Sequence, residues 1–398
     1  MHHNRLGVIA LFTRGVGRMF LSVLSILLCR LHSMAGAQQD STATADSLLI
    51  KSLQQQMSQS FSAQAQQPVP RTAPSTNPNM SVIGDFRASY LSPARRHFDA
   101  EFNEAEIAFQ SVVDPYARAD FFLSIARDPA TGKFGIDLEE GYLTTLDLPA
   151  DLQLKAGKFR STFGKINSIH PHALPFIDVP NVYANYFGEE GLNDEGVSLS
   201  WLVPNPLEFY QELTFEATRG PAGSPSFIIS PVDRFLYLGH LKNFWDLTDN
   251  ATFELGLSGV MGPNDAGFTT VLGGVDLTYK WKPLQFNTYQ SLVLQAEALW
   301  SDKKVAEKEK VKSWGMYGLA TYQLSKRWFL TGRFDYSNKP GNALFVERAY
   351  SGTLGWYATE FQKVELEFKV TTSNVYDTIR QLVLRSVFVI GAHGAHAY

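Results

Sequence analysis

The residues best suited to chemistry lie in one stretch, Gly157–Trp201, where His170-Pro171-His172 sets two imidazoles one residue apart, followed by Asp178, Glu189 and Glu190. Two histidines and a carboxylate form a donor set for zinc, copper or nickel, so His170 and His172 are candidate metal ligands. A second reading competes. The intervening proline splays the rings, and loop carboxylates are commonly just solvated, so the histidines equally suit lining a passage or hydrogen-bonding within the loop. The same stretch supplies the cations Lys158, Arg160 and Lys165 and the phenols Tyr183 and Tyr186. Together with His170, His172, Asp178, Glu189 and Glu190, these residues are the candidate lining of a constriction.

Chemistry is sparse elsewhere. Cys29 is the single cysteine and lies in a segment expected to be removed, which excludes disulfides, thiolate metal sites and a cysteine nucleophile. The other histidines of the exported chain are His97, His240, His393 and His396, and no motif gives any of them a serine or aspartate partner. No glycine loop suited to phosphates is present. An enzyme is not expected, and no cofactor is called for. The run Asp302-Lys303-Lys304 to Lys310 reads as an exposed mixed-charge loop.

These side chains need a scaffold, and composition limits the choices. The chain has 398 residues with 35 basic and 39 acidic side chains, so it lacks the basic excess that nucleic-acid binding requires. Residues 1–37 read as an export signal: Arg5, Arg14 and Arg18 precede the apolar run Met19–Cys29, and Ala35-Gly36-Ala37 is the small-residue cleavage site. Cleavage removes four arginines and no acid, shifting the net charge from −4 to −8. No apolar run downstream is long enough for a membrane-spanning helix. Residues 38–79 are rich in Gln, Ser, Ala, Thr and Pro, a periplasmic leader composition that cannot bury a core. Within it Ile50, Leu53, Met57 and Phe61 fall at the spacing of a short amphipathic helix.

From residue 80 to 398 the period becomes two. Ala251, Phe253, Leu255 and Leu257 alternate with Thr252, Glu254 and Gly256, and Val364, Leu366, Phe368 and Val370 alternate with Glu365, Glu367 and Lys369. Strict alternation means strands with one apolar and one wet face. Sixteen such segments start near residues 81, 102, 116, 134, 151, 195, 206, 234, 250, 268, 286, 312, 327, 348, 363 and 378. Even-numbered connections read as tight turns, including Val113-Asp114-Pro115 and Lys282-Pro283. Several odd-numbered ones read as long loops, at 91–100, 164–194, 219–233, 301–311 and 338–347. Short turns on one side and long loops on the other predict an all-β fold: a transmembrane antiparallel up-and-down barrel of about 16 strands. Trp201, Trp245, Trp281, Trp300, Trp314 and Trp328 fall near strand ends, as interfacial girdles require, while Trp356 falls mid-segment. Glu, Asp, Lys, Gln, Thr and Gly on the inward faces predict a water-filled lumen and no second apolar core. The proline-stiffened, apolar-studded loop 164–194 is then expected to fold into that lumen.

Leu154-Lys155-Ala156-Gly157-Lys158-Phe159 with Phe163-Gly164-Lys165, then Phe187–Leu192 and Gly196-Val197-Ser198-Leu199, resemble the phosphate-selective porin O/P superfamily of Gram-negative bacteria. The resemblance covers about fifty residues by motif. It implies a sixteen-stranded, often trimeric, passive channel in the outer membrane, its third loop narrowing the pore. Phosphate-selective members line their lumen with many Arg and Lys. This chain departs from that pattern, being net acidic with Lys158, Arg160 and Lys165 as the only basic residues near the loop, so phosphate selectivity is not expected. The expected partners are outer-membrane lipid, small polar solutes or ions, and two further copies of the chain. The expected function is passive diffusion of small polar or charged solutes. A substrate-specific uptake protein for a metal ion or chelate is the alternative, with a barrel enzyme or sealed scaffold behind it.

Overall fold

Strands with one apolar face are stable in hydrocarbon only if the sheet closes, because every backbone N–H and C=O must find a partner in the protein. The chain solves this with a ring. The structure, a computed structural model, describes residues 78–93, 97–127, 131–229 and 234–391, all within the unit Thr76–Tyr398. Residues 1–37 and nearly all of 38–79, where the sequence predicts an export signal and a leader, lie outside the described residues, as do His393 and His396.

Strands β1 (Asn79–Ser92), β2 (Phe98–Asp114), β3 (Ala117–Arg127), β4 (Phe134–Thr145), β5 (Leu152–Arg160), β6 (Asn193–Leu202), β7 (Tyr210–Thr218) and β8 (Leu236–Thr248) form the first half of the wall. The second half is β9 (Ala251–Pro263), β10 (Thr269–Trp281), β11 (Leu292–Ala306), β12 (Glu309–Ser325), β13 (Trp328–Lys339), β14 (Asn342–Thr359), β15 (Gln362–Ser373) and β16 (Ile379–Gly391). Each strand pairs antiparallel with the next, and β1 meets β16 from Ser81↔Gly391 to Ser92↔Arg380, giving a closed sixteen-stranded barrel. Every strand begins within six residues of the position its alternation predicts.

Three connections differ from expectation. The segments read as loops at 301–311 and 338–347 are hairpins, with β11 reaching Ala306 before β12 starts at Glu309, and β13 reaching Lys339 before β14 starts at Asn342. Beyond the lipid both faces of a ribbon meet water, so Asp302, Lys304 and Lys310 sit on strands without an apolar face to betray them. In the opposite sense, Lys282-Pro283 opens a connection from 282 to 291 containing a 3-10 turn at Leu284–Phe286. Trp356 lies opposite Trp328 in the register, which places it in a girdle with its partner instead of in mid-wall.

The wall is thinnest between β4 and β5. They pair at only four positions, Gly141–Thr144 against Lys155–Lys158, and Phe134–Glu140 runs on without β5 beside it. Gly157 (φ +142°) sits in this short ladder with the backbone of Gly141 and Tyr142 where a Cβ would have to go.

Inward and outward faces follow the alternation. Leu257, Met261, Leu366 and Phe368 are exposed outward, whereas Glu254, Ser258, Glu365, Glu367 and Lys369 point in and are buried. What buries them is the segment Ser161–Leu192, close to the predicted 164–194, which folds back inside the ring. The expectation of no inner apolar core is corrected here. Phe163, Ile166, Leu174, Phe176, Val182, Tyr183, Tyr186 and Phe187 of this segment pack with Leu236, Leu238, Val260, Leu272, Leu299 and Leu319 of the wall.

Candidate functional site

The inward loop is tied at its neck. Ser161 N–H donates to Leu192 O (2.8 Å), and Asn167 donates from Nδ2 to Ser161 O (2.7 Å) and Leu192 O (2.9 Å) while accepting from Leu192 N–H (2.8 Å). Three prolines, Pro171, Pro175 and Pro180, prevent a continuous helix. A 3-10 turn forms at Pro171–Ala173 and one short α-helix, α1 (Asn181–Phe187), with Pro180 before it and Gly188 (φ +90°) ending it. Val182, Tyr183, Tyr186 and Phe187 are buried, the helical i, i+4 pattern of one packed face.

From the neck the loop meets the wall in sequence. Thr162 N–H donates to Glu216 of β7 (3.1 Å), Gly164 N–H to Ser258 of β9 (2.9 Å) and Lys165 N–H to Glu297 of β11 (3.1 Å). The Lys165 ammonium pairs with Glu254 (2.7 Å). Farther along, Arg385 of β16 donates to Pro171 O (3.1 Å) and Phe176 O (3.3 Å), and Lys363 of β15 to Leu174 O (3.2 Å). Asp178 accepts from Arg333 of β13 (2.7 Å) and pairs with Lys369 of β15. Burial opposes charge on Asp178, but the Arg333 and Lys369 cations outweigh it and hold the carboxyl well below the usual carboxylate range. Asn181 N–H donates to Asp335 (3.1 Å), Asn185 to Glu347 (2.8 Å), and Tyr186 Oη to Ser313 (3.0 Å). Tyr183 Oη donates to Glu297 (2.6 Å); burial and that neighbouring carboxylate push its pKa well above that of a free phenol, so the hydroxyl stays a donor.

The histidine pair sits on the opposite wall. His170 Nδ1 lies 2.9 Å from Glu106 Oε2 of β2, its Nε2 lies 2.7 Å from Glu140 Oε1 of β4, and His172 Nδ1 lies 3.3 Å from the same Glu106 oxygen. Burial works against charge on His170, but its pairing with Glu106 and Glu140 and the nearby Glu139 charge push the pKa up to about 10. At neutral pH, without another cation, the ring is an imidazolium between carboxylates.

The ten predicted site residues thus separate into groups. His170 and His172 meet each other and Glu106; Lys165, Tyr183 and Tyr186 face β9, β11 and β12; Asp178 faces β13 and β15. Arg160 is buried and pairs with Glu139, while the largely exposed Glu190 lies 3.8 Å from it and Glu189 is exposed. Lys158 spans the β4–β5 parting, donating to Leu138 O (2.5 Å). None of the carboxylates that follow the histidines in sequence joins them in space. Glu106 and Glu140 do, and sequence reasoning missed both, as it missed Arg333, Lys363, Lys369 and Arg385. Glu106 carried no local signal beyond its inward parity on β2.

A closed sixteen-stranded barrel with a long loop folded inside is the architecture of outer-membrane porins, and solved structures agree. The outer-membrane channel DcaP of Acinetobacter baumannii aligns with a TM-score of 0.57 at 10% identity, over 78% of this chain and 96% of its own. OmpT of Vibrio cholerae in its trimer form gives 0.54 at 7% (79% and 100%), and the anion-selective porin of Comamonas acidovorans 0.52 at 11% (78% and 98%). At these identities the likeness is one of fold. No family model matches the chain. It is, however, 30% identical over 340 residues to an uncharacterized protein of Aquifex aeolicus (strain VF5), covering 74% of this chain and 69% of that protein, and it belongs to the same family.

Proposed function

We propose that this protein is a channel in the outer membrane of a Gram-negative bacterium, exported through residues 1–37, that passes small polar or charged solutes by diffusion, with loop 164–194 as its constriction. The observation that carries the reading is the inward loop itself. It leaves the wall between β5 and β6 and bonds wall residues from Glu106 to Arg385, so any solute crossing the ring must pass beside it. Lys165 and Asp178, which keep part of their surface exposed, then contribute to size and charge selection as lining residues do in pores, while the buried His170 and His172 anchor the loop. A non-enzymatic role fits this geometry, because the buried polar groups of the loop serve as wall anchors. A trimer embedded in lipid is the assembly implied by the resemblance of Leu154–Leu199 to the phosphate-selective porin O/P superfamily.

Planar-bilayer recording tests the reading. Passive diffusion gives ohmic currents that do not saturate with solute, whereas uptake of a metal ion or chelate through a binding site gives saturation. Deleting Ser168–Asn185 should raise the conductance. An unchanged conductance would remove the loop from the solute path.

A further inference from the structure

We infer that Glu106, His170 and His172 form a binding site for a first-row divalent transition-metal ion of the zinc class, which fastens the inward loop to the barrel wall. The inference does not rest on the channel reading, since the site requires only the folded barrel.

Three observations support it. The first is geometric. Glu106 Oε2 stands 2.9 Å from His170 Nδ1 and 3.3 Å from His172 Nδ1, and one ligand atom from each of the three residues falls within 4.8 Å of the others. Ligands around tetrahedral zinc with bonds of about 2.0–2.1 Å stand roughly 3.3 Å apart, so small side-chain adjustments bring the set into range. The donors come from two separate elements, β2 and the loop, which a bound ion would join.

The second is the surrounding shell. His170 Nε2 is 2.7 Å from Glu140 Oε1. A histidine that ligates through one nitrogen typically donates the other N–H to a carboxylate, which fixes the tautomer and orients the ring. Glu140 is placed for that role and leaves Nδ1 directed at Glu106. The other oxygen of Glu106, Oε1, is also buried and is a further oxygen donor at the site.

The third is charge. Glu106, Glu139 and Glu140 are 2%, 7% and 5% exposed, and Arg160 at 6% is the guanidinium packed with them. The formal charges of these four groups sum to −2, which is expensive to bury in a dry site. A dication brings the sum to zero. Two imidazole nitrogens and a carboxylate select a borderline ion over calcium or magnesium, which prefer all-oxygen shells.

The test uses the full chain purified in detergent, stripped with chelator, and titrated with zinc chloride against a chromophoric competitor at pH 8. Wild type should bind one zinc per chain, and cobalt(II) in its place should give the intense visible bands of a tetrahedral site. Glu106→Gln and His172→Gln should each weaken zinc at least a hundredfold. Glu140→Gln, which leaves all three ligands in place, should weaken it about 10- to 100-fold. Heat-modifiable gel mobility establishes that each variant retains its barrel. Equal zinc binding by wild type and by the folded His170→Gln/His172→Gln double variant overturns the inference, whether that shared value is zero or not.

Discussion

The hydroxyl of Tyr183 donates to Oε2 of Glu297 across 2.6 Å, joining the helical turn of the inward loop to the middle of β11. Glu297 also accepts from Tyr317 of the neighbouring strand (2.5 Å) and from Lys165 N–H (3.1 Å), so one buried carboxylate gathers both limbs of the loop. Tyr183→Phe strips a donor from a buried acceptor and should cost about 1–3 kcal/mol. The expected result is faster protease cleavage within 164–194 and noisier single-channel current, with the barrel's own gel mobility unchanged. Cleavage at the wild-type rate would show that this bond does not hold the loop.

The apolar contacts should weigh more. Phe163 is fully buried against Phe187, with ring centroids 5.0 Å apart. Phe163→Ala should lose about 3–5 kcal/mol of local packing, because the neighbouring wall is too rigid to collapse onto the cavity. Denaturant titration followed by loop proteolysis should show the loop releasing at lower urea than in Tyr183→Phe.

Asp178 makes the anchorage acid-sensitive. Its carboxyl lies well below the usual range because Arg333 and Lys369 outweigh the effect of burial. A depressed folded pKa contributes stability that is complete above the ordinary aspartate value of about 3.9 and is lost as pH falls through the lowered one. This anchor should therefore hold from neutral pH down to about 4 and weaken below it. Asp178→Asn should loosen the loop from neutral pH down to about 4 and flatten that acid limb of the proteolysis profile. A variant that keeps the acid limb would assign it to another group.

The acid excess of the chain, 39 acidic against 35 basic side chains, should give a weak cation preference if the surplus faces the lumen. In a tenfold salt gradient across a planar bilayer, the reversal potential should take the sign of cation flow. A potential near zero would mean that the surplus lies outside the solute path.

The wall was legible because lipid imposes a strict rule on it: each strand must show one apolar face, and turns must alternate with loops. That rule lapses beyond the membrane, so Asp302–Lys310 gave no strand signal though it forms the tip of the β11–β12 hairpin. The inner core had a faint trace. In Phe235-Leu236-Tyr237-Leu238 both faces are apolar, and Leu236 and Leu238 turn inward onto the loop. Reading that doubled face as a packing surface would have predicted the core. Loop 164–194 was recognisable by its prolines and aromatics, but its wall partners were not. Glu106 meets His170, and Arg385 meets Pro171, across sequence separations that no local pattern bridges.

These contacts tie the two ends of the chain to one inner segment. The loop's seat reaches from β2 at one extreme of the chain to β16 at the other, so it is complete only in the closed ring. A break at the β1–β16 seam would therefore take away part of that seat as well as open the wall.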